Sequence, residues 1–286
     1  MINKIFPWWS KIALKIVMSR IPVGYRLWRY FGLFKHGNME SSSYNIRIFN
    51  QHVLNADLNE KLHGKVVLEL GPGDSIATAI LALCFDAKAL LIDVGNFAID
   101  DIYFYKKMIG DFRKKGLVFP HDLNSIKTIN DLLLACDARY LTNGLKSYKE
   151  VETDSVDLIF SQAVLEHIRE EDFIDTMREC HRILKKNGIS SHQVDLKDHL
   201  SDSLNNLRFS KNTWESNLFA NSGFYTNRIR FCKMIDIFKA LYGGVIVSKE
   251  YRWNALPLDR NLLDLEYVNL SDQDLLVSAF DVILTK

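Results

Sequence analysis

The chain of 286 residues lacks the cysteine spacing of either a metal site or a disulfide framework. Cys84, Cys136, Cys180 and Cys232 stand 52, 44 and 52 residues apart, and no CxxC pair occurs. Each has apolar or helix-forming neighbours, so four buried, reduced thiols are expected. No apolar run approaches the ~20 residues that span a membrane. Lys11 and Lys15 break the N-terminal stretch that a signal peptide would keep apolar, which points to a cytoplasmic protein. Neither sign of charge is in excess. The 36 basic side chains face 35 acidic ones, a balance that gives no argument for a nucleic-acid partner. Internal repeats and low-complexity tracts are absent as well.

What is there reads as an ordinary globular protein. With 48% hydrophobic and 25% charged residues, disorder is excluded for most of the length. The length suits one large domain or two small ones, with a core that needs no disulfide or metal to hold it. The charge is unevenly placed. Residues 1–39 carry Lys4, Lys11, Lys15, Arg20, Arg26, Arg29 and Lys35 and no acid, which leaves the other 247 residues with 29 basic and 35 acidic side chains. Ile12, Leu14, Ile16, Val17 and Ile21 alternate with basic positions until Pro22, and Tyr25 to Phe34 carries a second aromatic-rich stretch around Arg26 and Arg29. This basic, amphipathic arm over residues 1–40 suits a helical lid on the main domain. Its composition is also compatible with peripheral contact with an anionic inner-membrane surface.

Beyond the arm, apolar runs that read as buried strands alternate with helical periodicity. Helices are expected over Ser41 to Leu62, Ser75 to Phe85, Asp100 to Lys115, Asn130 to Cys136, Glu170 to Lys186 and Phe231 to Leu241. Strands are expected at 65–70, 89–93, 139–142, 156–161, 188–196, 245–253 and 276–285. The alternation means an α/β fold with a mostly parallel sheet and ligand sites at the carboxyl ends of its strands. Residues 41–286 form that domain, with a polar and aromatic insertion at about 197–230.

The segment with most chemical content is Val66-Val-Leu-Glu-Leu-Gly-Pro-Gly-Asp-Ser75, a buried strand running through Gly71-Pro72-Gly73 into a helix. Glycines there permit a sharp turn and a close ligand approach, with helix N–H groups facing the ligand. A dinucleotide site would want a third glycine where Ile76 stands, and its pyrophosphate would meet Glu69 and Asp74. S-adenosylmethionine carries a sulfonium and an ammonium and no phosphate, so the same acids become favourable. Glu69-Leu70-Gly71-Pro72-Gly73 resembles the first motif of the class I S-adenosylmethionine-dependent methyltransferases. Leu90-Leu-Ile-Asp93, Tyr140-Leu-Thr-Asn-Gly-Leu145, Val156 to Ile168 with its Leu165-Glu166-His167, and Arg182 to Gly188 resemble that family's later motifs in order.

The resemblance implies a Rossmann-like, doubly wound sheet of seven strands, mostly parallel with an antiparallel last strand, and S-adenosylmethionine as cofactor. It further implies that Glu69, Gly71, Pro72, Gly73 and Asp74 hold the cofactor at the turn. Asp93 then takes the ribose hydroxyls, and Asn143, Gly144, Leu145, Ser161 and Gln162 line the site. An oxygen acceptor also needs a base. His192, Asp195, Asp198 and His199 cluster after the fifth strand, with His167 a further option, whereas His192, Asp195 and His199 match no closed metal site. The insertion offers Asn205, Asn206, Arg208, Trp214, Phe219, Phe224, Tyr225, Asn227, Arg228 and Arg230, a set suited to a polar or ring-bearing acceptor. The whole chain is similar to methyltransferases of bacterial surface-polysaccharide clusters, which implies a small-molecule or glycan hydroxyl acceptor. Two other readings stay open: a non-catalytic binding module on the same fold, docked on a membrane or partner, and an NAD-dependent sugar-modifying enzyme.

Overall fold

The structure is a computed structural model that describes residues 7–18, 20, 39–59 and 61–286. The basic stretch from Tyr25 to Phe34 lies outside the described residues, as does Lys4. Seven strands form one sheet: β1 (Val66–Leu70), β2 (Lys88–Ile92), β3 (Ala138–Leu141), β4 (Val156–Gln162), β5 (Leu184–Asp195), β6 (Gly244–Arg252) and β7 (Val277–Thr285). Their spatial order is β3-β2-β1-β4-β5-β7-β6. Strands β1 to β5 pair in parallel, and β7 runs antiparallel to both of its neighbours, β5 and β6. The order reverses between β1 and β4, which is where an open α/β sheet leaves a crevice for a ligand.

Helices cover both faces, which is why β1 and β4 are buried along nearly their whole length rather than at alternate residues. On one face lie α2 (Ser42–Asn55), α3 (Ala77–Cys84), α4 (Ile102–Lys114) and α5 (Ile129–Ala135), around Phe49, Ile80, Tyr105 and Phe112. On the other, α6 (Glu170–Ile183) and α7 (Phe231–Leu241) bury Phe173, Met177, Met234 and Phe238. Ser41 caps α2 and Asp101 caps α4 through their side chains. Three acids in the first turn of α6 and His181 and Arg182 in its last complement the helix dipole.

Two expectations are corrected. Helix α6 ends at Ile183, four residues before Asn187-Gly188, and β5 begins at once. The Asp157 carboxylate draws Lys185 Nζ to 2.7 Å and Lys65 Nζ to 3.1 Å, and accepts from Val66 N at 3.0 Å. That tie joins the starts of β1, β4 and β5. Residues 185–188 then loop out between the pairs Val156–Leu184 and Leu158–Ile189. The cysteines are all unpaired, but only Cys136 and Cys180 are buried; Cys84 is half-buried, and Cys232, at the start of α7, is exposed.

The described part of the arm is α1 (Trp8–Met18). Ile12 is buried in a small core with Leu200, Trp214, Phe219, Phe224 and Tyr225, and Trp8 and Ile16 pack against it. Lys11 and Lys15 donate to the carbonyls of Leu200 and His199 at 2.6 and 3.2 Å. The helix therefore lies on the insertion, while Trp9, Leu14 and Val17 face outward. No helix among the described residues is long and apolar enough to cross a membrane.

Candidate active site

The turn after β1 needs its glycines. Gly71 has φ +70° and Gly73 φ +57°, a region that costs other L-residues about 1–2 kcal/mol. A Cβ on Gly71 would stand 2.6 Å from both γ-carbons of Val164, so the segment after β4 closes directly over this backbone. Gly71 N donates to Ile92 O at 2.8 Å, which joins the ends of β1 and β2. Asp93, one residue beyond β2, reaches back to the turn. Its Oδ2 accepts from Gly73 N at 3.0 Å and its Oδ1 from Val94 N at 2.7 Å. Asp74 is buried on the same turn, with its carbonyl accepting from Ile99 N.

Glu69 is the charged side chain of a narrow cleft of about 10 Å³ between α2 and the turn. Tyr44, Asn45 and Ile48 line it from α2, and Pro72, Ser75, Thr78 and Gln162 from the turn, α3 and β4. Burial pushes the Glu69 carboxyl up to about 7. The Thr78 hydroxyl lowers it somewhat, and the negative charge of Asp93 raises it. Such a carboxyl favours a positive ligand group and disfavours a phosphate. On the far side of Asp93, Gly144 N donates to Asp93 O at 2.9 Å, and Asn143 N to Ser147 Oγ at 3.0 Å. Asn143, Gly144 and Leu145 are thus brought to the end of β2. Ser161 is enclosed in the sheet, on His192 rather than on the cleft, whereas Gln162 reaches the cleft and bonds Gln193 at 3.0 Å.

The five base candidates separate. His192 is a core residue: Nδ1 lies 2.7 Å from Ser161 Oγ and Nε2 2.6 Å from Ser190 Oγ, and burial pushes it down to about 3. Asp198 is buried and ties its own loop, accepting from the backbone N of Leu200, Ser201 and Asn205 at 2.9, 2.6 and 2.7 Å. Asp195 accepts from Lys197 N at 2.9 Å, and burial raises its pKa. His167 and His199 face each other, Nε2 to Nε2 at 3.1 Å, with rings stacked 4.8 Å apart. Burial pushes His199 down to about 4, with Lys15 adding to the shift. Glu166, beside them, is fully buried and its pKa is driven well up by that burial.

Tyr44, Asn45, Ile48 and Thr78, and the burial of Glu166, are not marked by any of the sequence motifs. The available signal for the first three was their shared face at helical spacing just before a glycine turn. The insertion's aromatics were expected at a pocket. Trp214, Phe219, Phe224 and Tyr225 instead pack on one another and on α1, and Trp214 donates to Thr226 O at 2.7 Å. Arg230 is likewise spent on the carbonyls of Leu196, Asp274 and Val277.

No curated protein matches the chain in sequence. The family model "Methyltransferase domain" matches residues 129–191, a span from α5 into β5 that includes Glu166 and His167 and leaves out the glycine turn. Among solved structures, the chain is similar to the CurJ carbon methyltransferase at 11% identity and a TM-score of 0.41, over 78% of this chain and 49% of that one. It is similar to a SAM-dependent methyltransferase from Archaeoglobus fulgidus at 13% identity and a TM-score of 0.42, over 82% and 93%. A third is a Haemonchus contortus phosphoethanolamine N-methyltransferase 2 in complex with phosphomonomethylethanolamine and S-adenosylhomocysteine, at 14% identity and a TM-score of 0.43, over 82% and 52%. The chain spans about half the length of the first and third of these.

Proposed function

We propose that this chain is a class I S-adenosylmethionine-dependent methyltransferase that methylates oxygen on a small polar or glycan-type acceptor. The observation that carries the reading is the pair of carboxylates, Glu69 and Asp93, on either side of a positive-φ glycine turn at the point where the strand order reverses. Glu69 is the one charged residue among the described residues that line the cleft, which suits a cationic ligand group. The methyltransferase-domain match at 129–191, which covers β3, β4 and part of β5, supports the same reading.

When bound, S-adenosylmethionine supplies a methyl group already activated by its sulfonium. The protein's part is orientation and proton removal. Asp93, placed at the turn by its bonds to Gly73 and Val94, takes the ribose hydroxyls, and Glu69 faces the cationic end. The Nδ1 of His167 lies 2.9 Å from Tyr225 O, so it carries the proton and leaves the Nε2 lone pair facing His199. That pair, at the carboxyl ends of β4 and β5, is where an acceptor hydroxyl would lose its proton. His192 is not.

Glu69 makes binding pH-dependent. Its proton must leave before it attracts a cation, so affinity for the cofactor rises by up to about tenfold per unit as pH climbs toward about 7, then levels off. Calorimetry from about pH 5.5 to about pH 8.5 reads this. Glu69→Gln is expected to give weaker binding with a flat profile, and a wild-type profile that is itself flat would count against the assignment. The acceptor class is tested by incubation with S-adenosylmethionine carrying a deuterated methyl and a set of sugar, nucleotide-sugar and amine acceptors. Release of S-adenosylhomocysteine with a labelled hydroxyl product supports the reading. Label on amines alone would replace oxygen with nitrogen.

A further inference from the structure

We infer that Glu166, His167 and His199 form a binding site for a divalent transition-metal cation. These are the one group of metal-ligating side chains that comes together among the described residues, with candidate ligand atoms all within 4.8 Å of one another. They come from two loops, the short helix Leu165–His167 after β4 and the turn after β5. The carboxyl ends of neighbouring strands thus supply all three.

Four features point to a cation. The first is the spacing of the two imidazoles. With metal–nitrogen bonds of about 2.0–2.1 Å and a tetrahedral angle, two coordinating nitrogens stand about 3.3 Å apart. The two Nε2 atoms stand 3.1 Å apart, in a hydrogen bond whose proton a cation at that spacing would replace. The second is the state of His167. A backbone carbonyl can only accept, so the 2.9 Å contact of Nδ1 with Tyr225 O places the ring proton on Nδ1 and turns a lone pair toward His199. The third is Glu166. Its side chain is buried, yet no hydrogen bond of ordinary geometry reaches either carboxylate oxygen, although the backbone amides of Glu166 and Asp195 lie near enough to favour its charge somewhat. A buried carboxyl left in this state is costly unless something else pairs with it.

The fourth is the rigidity of both loops. Asn227 holds the Glu166 loop at three points: its Nδ2 donates to Leu165 O and Ile168 O at 2.8 and 2.9 Å, and its N to Glu166 O at 2.7 Å. Asp198 holds the His199 loop through the backbone amides already described. Two imidazoles and one carboxylate suit zinc, manganese or iron(II) better than calcium or magnesium. Lys15, bonded to His199 O, opposes the cation and limits its affinity. Its task deepens the methyl-transfer reading and rests on it. The site lies beside the Val164 cover of the glycine turn, where a bound cation would hold the acceptor hydroxyl and lower its pKa; the two imidazoles are then ligands rather than bases, and the proton leaves to water. Binding of the cation itself does not rest on that reading.

The test is titration of the metal-stripped full chain with zinc chloride by calorimetry, and with cobalt(II) chloride by visible absorption, both without cofactor. One equivalent of zinc is expected, with cobalt(II) absorption bands of a low-coordinate nitrogen–oxygen site. Glu166→Gln and His199→Asn should each weaken binding about a hundredfold. Circular dichroism checks that each variant folds, and if one does not, the other decides. Absence of binding, or binding equally strong in the folded variants, would overturn the site. Neither result bears on cofactor binding at Glu69 and Asp93, which is measured separately.

Discussion

Replacing Asp93 with asparagine is expected to weaken S-adenosylmethionine binding by about a hundredfold to a thousandfold and to leave the fold standing. Hydrogen bonds to a charged acceptor are worth about 1.5–3 kcal/mol each, and a ribose offers two hydroxyls. Losing the charge from both therefore costs about 3–4 kcal/mol, at about 1.4 kcal/mol per tenfold. The amide oxygen of asparagine can still accept from Gly73 N or from Val94 N, though not from both as firmly as the carboxylate does. A drop of a few degrees in melting temperature is the expected structural cost. Calorimetry and circular dichroism on the same preparation separate the two effects. Unchanged affinity would mean that the ribose lies elsewhere.

The second large effect is at Gly71. Alanine there meets two penalties, the positive φ and a Cβ 2.6 Å from both γ-carbons of Val164. Together they amount to about 2–5 kcal/mol, enough to distort the turn and abolish cofactor binding. The two penalties come apart in a double variant. Adding Val164→Ala removes the clash but not the backbone strain, so chemical denaturation should recover about half of the lost stability. Full recovery would show that the left-handed conformation costs nothing here. No recovery would show that Val164 does not press on the turn.

Legibility in the sequence followed local physics. A buried run of β-branched and leucine residues feeding Gly-Pro-Gly is a strand-to-turn signal that depends on few neighbours, and the structure places β1 and its positive-φ turn there. The single antiparallel strand was legible only through the family resemblance, and the order of the strands was not legible, since periodicity does not order strands. What could not be read depends on contacts distant in sequence. His192 sits on a strand buried on both faces, so alternation could not say which face met a ligand, and it turned inward to Ser161 and Ser190.

Glu166 looks in sequence like a loop acid. It is buried because Asn227, sixty-one residues later, clamps the loop that carries it. Composition likewise cannot tell aromatics that line a pocket from aromatics that fill a core, and in the insertion they fill a core. The helix stop at Asn187-Gly188 was a sound local signal, overridden by the tie of Lys185 to Asp157.

The most direct measurement of the central claim is a calorimetric titration of the full chain at about pH 8 with S-adenosylmethionine and, separately, with NAD. One saturable site is expected for the sulfonium compound and none for the dinucleotide, because Glu69 and Asp93 attract a cation and repel a pyrophosphate. Saturable binding of NAD without binding of S-adenosylmethionine would contradict it.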